Sequence, residues 1–307
     1  MVTERGLRLG VGLPQGVAGG TADTGLIRAF AARAERLGDA DRWLTDNLLG
    51  GRPHLEPVTL LAYAAACTER IRLGVSVIIL NRRDPVALAK ELASLDRLSG
   101  GRLTVGVGLG GGTAAYPAFG IGEVRPLARF AEGLRVRRAL WSEERVDLGG
   151  EFYRLADVAM GPKPAQRPHP PVWIGGHAPA ALRRAVRLGD GWMGAGSAPT
   201  EDFFDQIGRV RRHMEGLGRD EGRFARSKRV YVAVDNDEGR AREQLAATLA
   251  STYGVARDGV GVAGTAGRCA EVLRTMRDAG LRHLLRQPCG DVMRQLEVLT
   301  AEVAPQL

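Results

Sequence analysis

The sequence has few of the residues that mark disulfide-stabilised, metal-binding or membrane-spanning proteins. Among its 307 residues are three cysteines, Cys67, Cys269 and Cys289, and no two of them form a C-x-x-C pair, which argues against a disulfide framework or a zinc site. The histidines are scattered without the spacing of metal ligands. No uncharged apolar run approaches the roughly 18 residues of a membrane span. We therefore expect neither a metal nor a membrane partner.

The sequence also lacks an export signal and a nucleic-acid surface. An acidic residue, Glu4, stands at the start, and no basic region is followed there by a continuous apolar segment, so a cytoplasmic protein is expected. The net charge of +8 comes from arginines spread along helix faces, and aromatic residues make up only 5% of the chain. Because a binding motif and interleaved aromatics are absent, we expect no nucleic-acid partner, and an anionic small ligand is favoured.

Strand-like and helix-like segments alternate from one end of the chain to the other. Eight apolar segments predict strands: Leu7–Leu13, the segment around Trp43 and Leu44, Ile71–Leu80, the strand with Val105 and Val107, Val172–Gly176, Trp192–Met193, Val230–Val234 and Leu281–Leu285. Two short strand-like runs around Gly149 and Gly150 predict a hairpin after the fourth helix. The pattern favours an α/β fold, a (β/α)8 TIM barrel with this hairpin inserted, over an open sheet. We expect residues 1–307 to form one domain.

The segment Leu95–Gly110 carries the strongest local signal. A helix leads into Ser-Gly-Gly-Arg and then into a strand in which valines alternate with Gly106 and Gly108. That strand has apolar bulk on one face and bare backbone on the other, as happens where a ligand or another backbone approaches closely. The segment predicts a strand that ends at a binding site, and the alternative is that the glycines from Gly108 to Gly112 form only a flexible turn.

Several motifs, in order along nearly the whole chain, resemble those of the luciferase-like monooxygenase superfamily. This superfamily includes bacterial luciferase, FMN-dependent alkanesulfonate monooxygenases and oxidoreductases that use the deazaflavin coenzyme F420. The motifs are AERLG (34–38), Trp43 with Asp46, RIRLGVSV (70–77), DPVALAKELASLDRLSGGRLTVGVGLG (84–110), PPVWIGG (170–176), GDGW (189–192) and AGLRHLL (279–285).

The resemblance implies a flavin or deazaflavin at the carboxyl ends of the barrel strands, where such barrels place their active sites. The implied cofactor contacts are Ser76, Val77, Gly108, Gly110, Gly175, Gly176 and His177. In this family a non-proline cis peptide often lies at the position of Ser76–Val77. The free N–H groups of the helix after Gly176 could bind the cofactor phosphate. The alternatives are that Ser76 is a small buried residue and that His177 only begins a helix.

The candidate catalytic residues are Asp46, Asn47 and Tyr116, and here the chain departs from the superfamily. Many F420-dependent relatives have Asp-His where this chain has Asp46-Asn47, and an amide cannot exchange protons near neutral pH. A glutamate common in relatives is replaced near Ala115, which leaves Tyr116 as the nearest titratable hydroxyl. Asp46 could instead cap a helix. The second strand is unusually polar, with Asp39, Asp41 and Arg42 in and before it.

Three functions remain open on these residues. The favoured one is hydride transfer between coenzyme F420 and a small organic substrate. The second is oxygenation by a two-component monooxygenase that takes reduced FMN from a partner flavin reductase and uses O2. The third is a non-catalytic homologue that binds a flavin or serves a structural role. Arg82 and Arg83 either contact an anionic group or are simply solvated, and the resemblance implies a homodimer.

Overall fold

The computed structural model describes residues 1–16, 21–50, 53–122, 125–255 and 257–307. Strands and helices alternate along them. The strands are β1 (Arg8–Gly12), β2 (Asp41–Leu44), β3 (Arg72–Ile79), β4 (Leu103–Gly108), β5 (Arg145–Gly149), β6 (Arg154–Ala159), β7 (Val172–Gly175), β8 (Gly191–Gly194), β9 (Ala225–Val234), β10 (Val262–Gly264) and β11 (His283–Pro288). The helices are α1 (Thr24–Arg36), α2 (Pro57–Ala66), α3 (Pro85–Leu98), α4 (Pro126–Ser142), α5 (Pro179–Leu188), α6 (Asp202–Gly216), α7 (Glu238–Tyr253), α8 (Ala266–Asp278) and α9 (Val292–Val298).

Eight of these strands have the order of a closed barrel. The sheet runs β10-β9-β11-β1-β2-β3-β4-β7-β8, and β8 also pairs with β9. The predicted (β/α)8 barrel is confirmed, and the antiparallel hairpin of β5 and β6 follows the fourth helix as expected. Strand β10 was not predicted; its three residues pair with the carboxyl end of β9 and are too few to show a period.

The described residues group into two compact units by their internal contacts. Unit 1 consists of residues 1–14, 24–43 and 173–307, and unit 2 of residues 15–23 and 44–172. In unit 1, β1, β2, β7, β8, β9, β10 and β11 form parallel pairs. In unit 2, β3 pairs in parallel with β4. The expectation of one domain stays a prediction.

The Ser-Gly-Gly-Arg segment joins α3 to β4 and also secures the end of α2. Gly100 and Gly101 have φ of 66° and 82°, a conformation that glycine adopts without the steric penalty of a side chain. The turn directs Arg102 onto the loop after α2, where its guanidinium donates to the carbonyl oxygens of Ala65, Thr68 and Ile71 at 2.9 to 3.0 Å. The arginine of this motif therefore adds hydrogen bonds to the carbonyl groups at and after the end of α2.

Helix α3 begins as its sequence predicts. Asp84 precedes it in an extended conformation, and its carboxylate accepts hydrogen bonds from the backbone N–H groups of Val86 and Ala87 at 2.9 and 2.8 Å. Pro85 takes the first helical position, where no backbone donor is needed. This start fixes where the chain turns after β3, next to the candidate site.

The described residues were also compared with the expectations for membrane spans, metal sites and cysteines. Their helices include none of the length and apolar character needed to cross a membrane. Across the same ranges, no group of three or more His, Cys, Asp or Glu side chains is arranged to hold a metal ion. All three cysteines are free thiols, and burial raises the pKa of Cys269 and of Cys289 to about 12.

Candidate active site

The bare face of β4 is covered by an irregular stretch of β3. The register between the two strands shifts between Val75 and Ile78, and the Ser76–Val77 peptide within this stretch is cis, as predicted. A Cβ on Gly106 would lie 2.0 Å from the carbonyl oxygen of Val75, and one on Gly108 would lie 2.5 Å from a Val77 methyl. The close approach predicted from the glycines is therefore made by the neighbouring strand.

The same strand also determines the residue after β4. Gly110 has a φ of 78°, and a Cβ there would lie 2.7 Å from a methyl group of Ile79. Packing against β3 thus requires glycine at positions 108 and 110. These two glycines therefore do more than form the flexible turn considered as an alternative. Their contact with a cofactor, like that of Ser76 and Val77, stays a prediction.

Asp46 is buried and holds the segment that follows β3. Its Oδ2 accepts a hydrogen bond from the backbone N–H of Ile79 at 2.8 Å, and its Oδ1 accepts one from Nη2 of Arg83, also at 2.8 Å. Nη2 of Arg83 contacts Glu56 at 2.8 Å as well. Burial lowers the pKa of Arg83, but the hydrogen bonds to Asp46 and Glu56 outweigh it and the pKa is raised. The expectation that Arg83 is solvated is wrong, because two carboxylates bind it.

Tyr116 contacts the same segment through Asn81. It is buried, and its hydroxyl oxygen accepts a hydrogen bond from Nδ2 of Asn81 at 2.9 Å. Asn81, itself buried, donates a second hydrogen bond to the carbonyl oxygen of Pro126 at 2.9 Å. Asp46 and Tyr116 are therefore brought together through residues 79–83. Asn47 follows Asp46 and is half-buried.

Arg82 lies in the 3₁₀ turn at the end of β3 and presents a donor that the protein does not use. Its Nε is buried and has no hydrogen-bond partner among the residues described. A buried donor left without a partner destabilises the protein by about 1 to 3 kcal/mol. Because this nitrogen is shielded from solvent, it offers no contact to a ligand in this conformation.

In unit 1, the loop after β7 leads into the exposed start of α5. A Cβ on Gly176, whose φ is 140°, would lie 2.6 Å from the Cβ of Ala181, so the glycine permits α5 to pack against the loop. The residue before α5 is Ala178, which supplies no capping side chain. Residues 177–180, His177 included, are exposed. Pro179 has no N–H, and the N–H groups of Ala181 and Leu182 donate to the carbonyl oxygen of Ala178 at 2.8 and 3.1 Å. Within this first turn, the N–H of Ala180 remains to bind an anion.

The sequence did not predict a buried polar chain in unit 1. His283 joins two partners: its Nε2 lies 2.7 Å from Oδ1 of Asp41, and its Nδ1 lies 2.6 Å from Oγ of Ser227. Asp41 also accepts hydrogen bonds from Trp43 at 2.5 Å and from Arg8 at 2.9 Å. Burial alone would raise the pKa of Asp41, but His283 and these donors lower it well below the usual range.

In the sequence, the unusually polar second strand was the feature that could have predicted these buried contacts. Asp39 and Arg286, both inaccessible to solvent, form a second ion pair. In a closed barrel the last strand is the neighbour of the first, and the first is the neighbour of the second. Polar residues of β2 could therefore have been matched with His283 and Arg286 of β11. The indole rings predicted to be core are buried: those of Trp43, Trp173 and Trp192.

Comparison with known proteins identifies the family. The model of the luciferase-like monooxygenase family matches residues 7–281, which is most of the chain. The protein belongs to the luciferase-like monooxygenase family. This membership confirms the expectation of an oxidoreductase of the luciferase-like class.

The curated relatives include an F420-dependent dehydrogenase and a ketoreductase. The chain is 32% identical over 232 residues to an F420-dependent glucose-6-phosphate dehydrogenase of Kineococcus radiotolerans, a match spanning 71% of this chain and 67% of that protein. It is 29% identical over 205 residues to a phthiodiolone/phenolphthiodiolone dimycocerosates ketoreductase of Mycobacterium sp. strain JLS, spanning 66% of this chain and 54% of that protein. The matches thus span about half to two thirds of these curated relatives.

Solved structures agree on the fold. A monooxygenase, RslO1 of Streptomyces bottropensis, superposes with a TM-score of 0.83 at 24% identity and covers 97% of this chain and 99% of its own. An F420-dependent secondary alcohol dehydrogenase in complex with an F420-acetone adduct superposes with a TM-score of 0.82 at 20% identity and covers 99% of each chain. At such identities the likeness establishes the barrel and not the reaction.

Proposed function

We propose that this protein transfers hydride between coenzyme F420 and a small organic substrate. The observation that carries the choice of cofactor is the 32% identity to an F420-dependent dehydrogenase over 232 residues. An anionic cofactor also fits the start of α5, which is exposed and carries no capping side chain.

Each group of residues has a role in this proposal. The N–H of Ala180 at the start of α5, together with Gly175, Gly176 and His177, binds the cofactor phosphate. The bulged stretch at Ser76 and Val77 supports the ring system. When bound, the deazaflavin supplies the hydride chemistry, and the protein supplies orientation and hydrogen bonds.

Tyr116 is the proposed proton donor to the substrate oxygen. Its oxygen accepts from Asn81, which leaves the hydroxyl hydrogen available to a substrate carbonyl. Asn81 fixes the direction of that hydrogen because it is itself held by the carbonyl of Pro126. Asp46 acts as a positioning residue, since both of its oxygens already bind groups of the segment after β3.

Fluorescence titration tests the choice of cofactor. Purified protein is titrated separately with F420, FMN and, without oxygen, reduced FMN; F420 is expected to bind most tightly. His177→Ala should weaken F420 binding, whereas His213→Ala, on α6, should not. Preference for either form of FMN would contradict the proposal and favour the monooxygenase, which also needs a partner flavin reductase. Binding of none of the three would indicate the non-catalytic homologue.

The assembly and location expected from the sequence are part of the same proposal. We propose a homodimer in the cytoplasm. Light scattering of the eluting protein during size-exclusion chromatography gives the mass that checks the first point, with one chain weighing 32.8 kDa.

A further inference from the structure

A cavity lies at the amino-terminal ends of the strands of unit 1. Its volume is about 330 Å³, and its walls include Arg8, Arg226 and His283, which stand at or next to the starts of β1, β9 and β11. These strands are parallel, so their starts share one face. Active sites of such barrels lie at the carboxyl ends, and none of the proposed cofactor or catalytic residues lines this cavity.

The walls of the cavity are strongly cationic. Four arginines line it, Arg8, Arg223, Arg226 and Arg282, against a single carboxylate, Glu221. Burial and the nearby Arg226 lower the pKa of Arg282, which reflects the crowding of positive charge. A concave surface lined by one sign of charge concentrates ligands of the opposite sign.

Arg226 supplies a donor without an acceptor inside this wall. Its side chain is 5% exposed, and Nη1 binds Oε2 of Glu221 at 2.6 Å. Its Nε is buried and has no hydrogen-bond partner within the described ranges. The ion pair with Glu221 therefore leaves the guanidinium incompletely satisfied, although this nitrogen is itself shielded from solvent.

Arg8 is oriented by the buried polar chain yet remains accessible. Its Nη2 donates to Oδ2 of Asp41 at 2.9 Å, while 37% of the side chain stays exposed. The adjacent wall is aromatic: the rings of Trp173 and His283 meet edge to face with centroids 5.0 Å apart. Phe224 adds a further ring to the lining.

We propose that this cavity binds a small organic oxyanion, a phosphate monoester or a carboxylate attached to a planar group. Arg8, Arg226 and the more exposed Arg223 bind the anion, and Trp173 contacts the planar part. The cavity volume suits a ligand of this size. The proposal does not depend on the proposed function, since it concerns the opposite ends of the strands.

Calorimetric titration with phenyl phosphate, benzoate and inorganic phosphate tests the site. Phenyl phosphate or benzoate is expected to bind more tightly than inorganic phosphate, and which of the two binds better identifies the oxyanion. Arg223→Glu should weaken binding roughly tenfold or more, since a charged hydrogen bond is replaced by repulsion. This side chain is 91% exposed, so the variant should fold normally. Arg226→Met should have the same effect.

Two control variants locate the binding. Arg242→Glu alters an arginine of α7 that is 68% exposed and lies outside the cavity, and His177→Ala alters the proposed phosphate site at α5. Both should bind the probes as the unmodified protein does. The proposal is overturned by equal binding in Arg223→Glu, by loss of binding in His177→Ala, or by no binding of any probe at about 1 mM.

Discussion

At the scale of single residues, the candidate catalytic groups are held by one short segment. Within residues 79–83, Ile79 and Arg83 donate hydrogen bonds to Asp46, and Asn81 donates one to Tyr116. An ion pair with little solvent exposure is oriented far more strongly than a surface pair. Asp46 therefore determines where Arg83 and the chain before α3 lie, and the Tyr116 oxygen accepts a hydrogen bond from Asn81 of the same segment.

Replacement of Tyr116 by Phe is expected to lower kcat by about 10² to 10⁴, the range typical of a lost general acid. The proposed function implies this result, because Phe keeps the ring and removes only the proton donor. Steady-state kinetics with the best substrate and F420 measure it. Tyr63→Phe, at an exposed tyrosine of α2, serves as the control. An unchanged kcat in Tyr116→Phe would exclude the assigned role.

Asp41 is expected to make the stability depend on pH on the acid side. Its pKa is lowered in the folded protein, so its contribution is present above the unfolded value of about 4 and is lost as the pH falls. The loss should be on the order of 2 kcal/mol. Urea unfolding at pH 7 and at successively lower pH measures it. Asp41→Asn should be less stable at pH 7 and lose less on acidification; an unchanged slope would contradict this.

At the scale of elements, the β3–β4 pair shows how glycine fixes a site indirectly. The alternation in β4 correctly predicted a close approach, and the sequence left open whether a ligand or a backbone makes it. The structure assigns the approach to Val75 and Val77 of β3. The sequence could not decide this, because the register shift in β3 arises only when the two strands pair.

Gly106→Ala is expected to destabilise the protein by about 3 kcal/mol or more, since added atoms in a packed region cost about 1 to 3 kcal/mol and here the obstacle is backbone. The new Cβ would lie 2.0 Å from the carbonyl oxygen of Val75. Gly111→Ala is the matched control, because its Cβ would meet nothing within 4 Å. Chemical denaturation compares them. Equal stability of both variants would refute the packing argument.

At the scale of the whole molecule, the strand order could be predicted and the side-chain partners could not. Short apolar segments marked all eight barrel strands, and that of β3 is rich in β-branched residues. The three residues of β10 carry no such pattern. The buried contact between Asp41 and His283 joins positions 242 residues apart, and a single sequence does not indicate which polar residues pair until the neighbouring strands are known.

The sequence likewise predicted some parts of the candidate site and missed other functional features. Motifs located Ser76, Val77 and the glycine segments, because backbone requirements leave a local mark on the sequence. The cationic cavity left none, since its arginines come from β1, β9 and the loops before β9 and β11. Only the folded chain brings such residues together, and each alone has the pattern of a solvated surface charge.

The buried contacts among Asp41, His283 and Ser227 have a consequence for recombination with relatives. These residues come from β2, β11 and β9, so a chimera that takes its first two strands from a homologue with an apolar β2 would leave the imidazole and the hydroxyl buried without the carboxylate. Such a chimera would have to exchange all three positions at once. In this chain the second strand of the barrel can be exchanged only together with the strands that carry its buried partners.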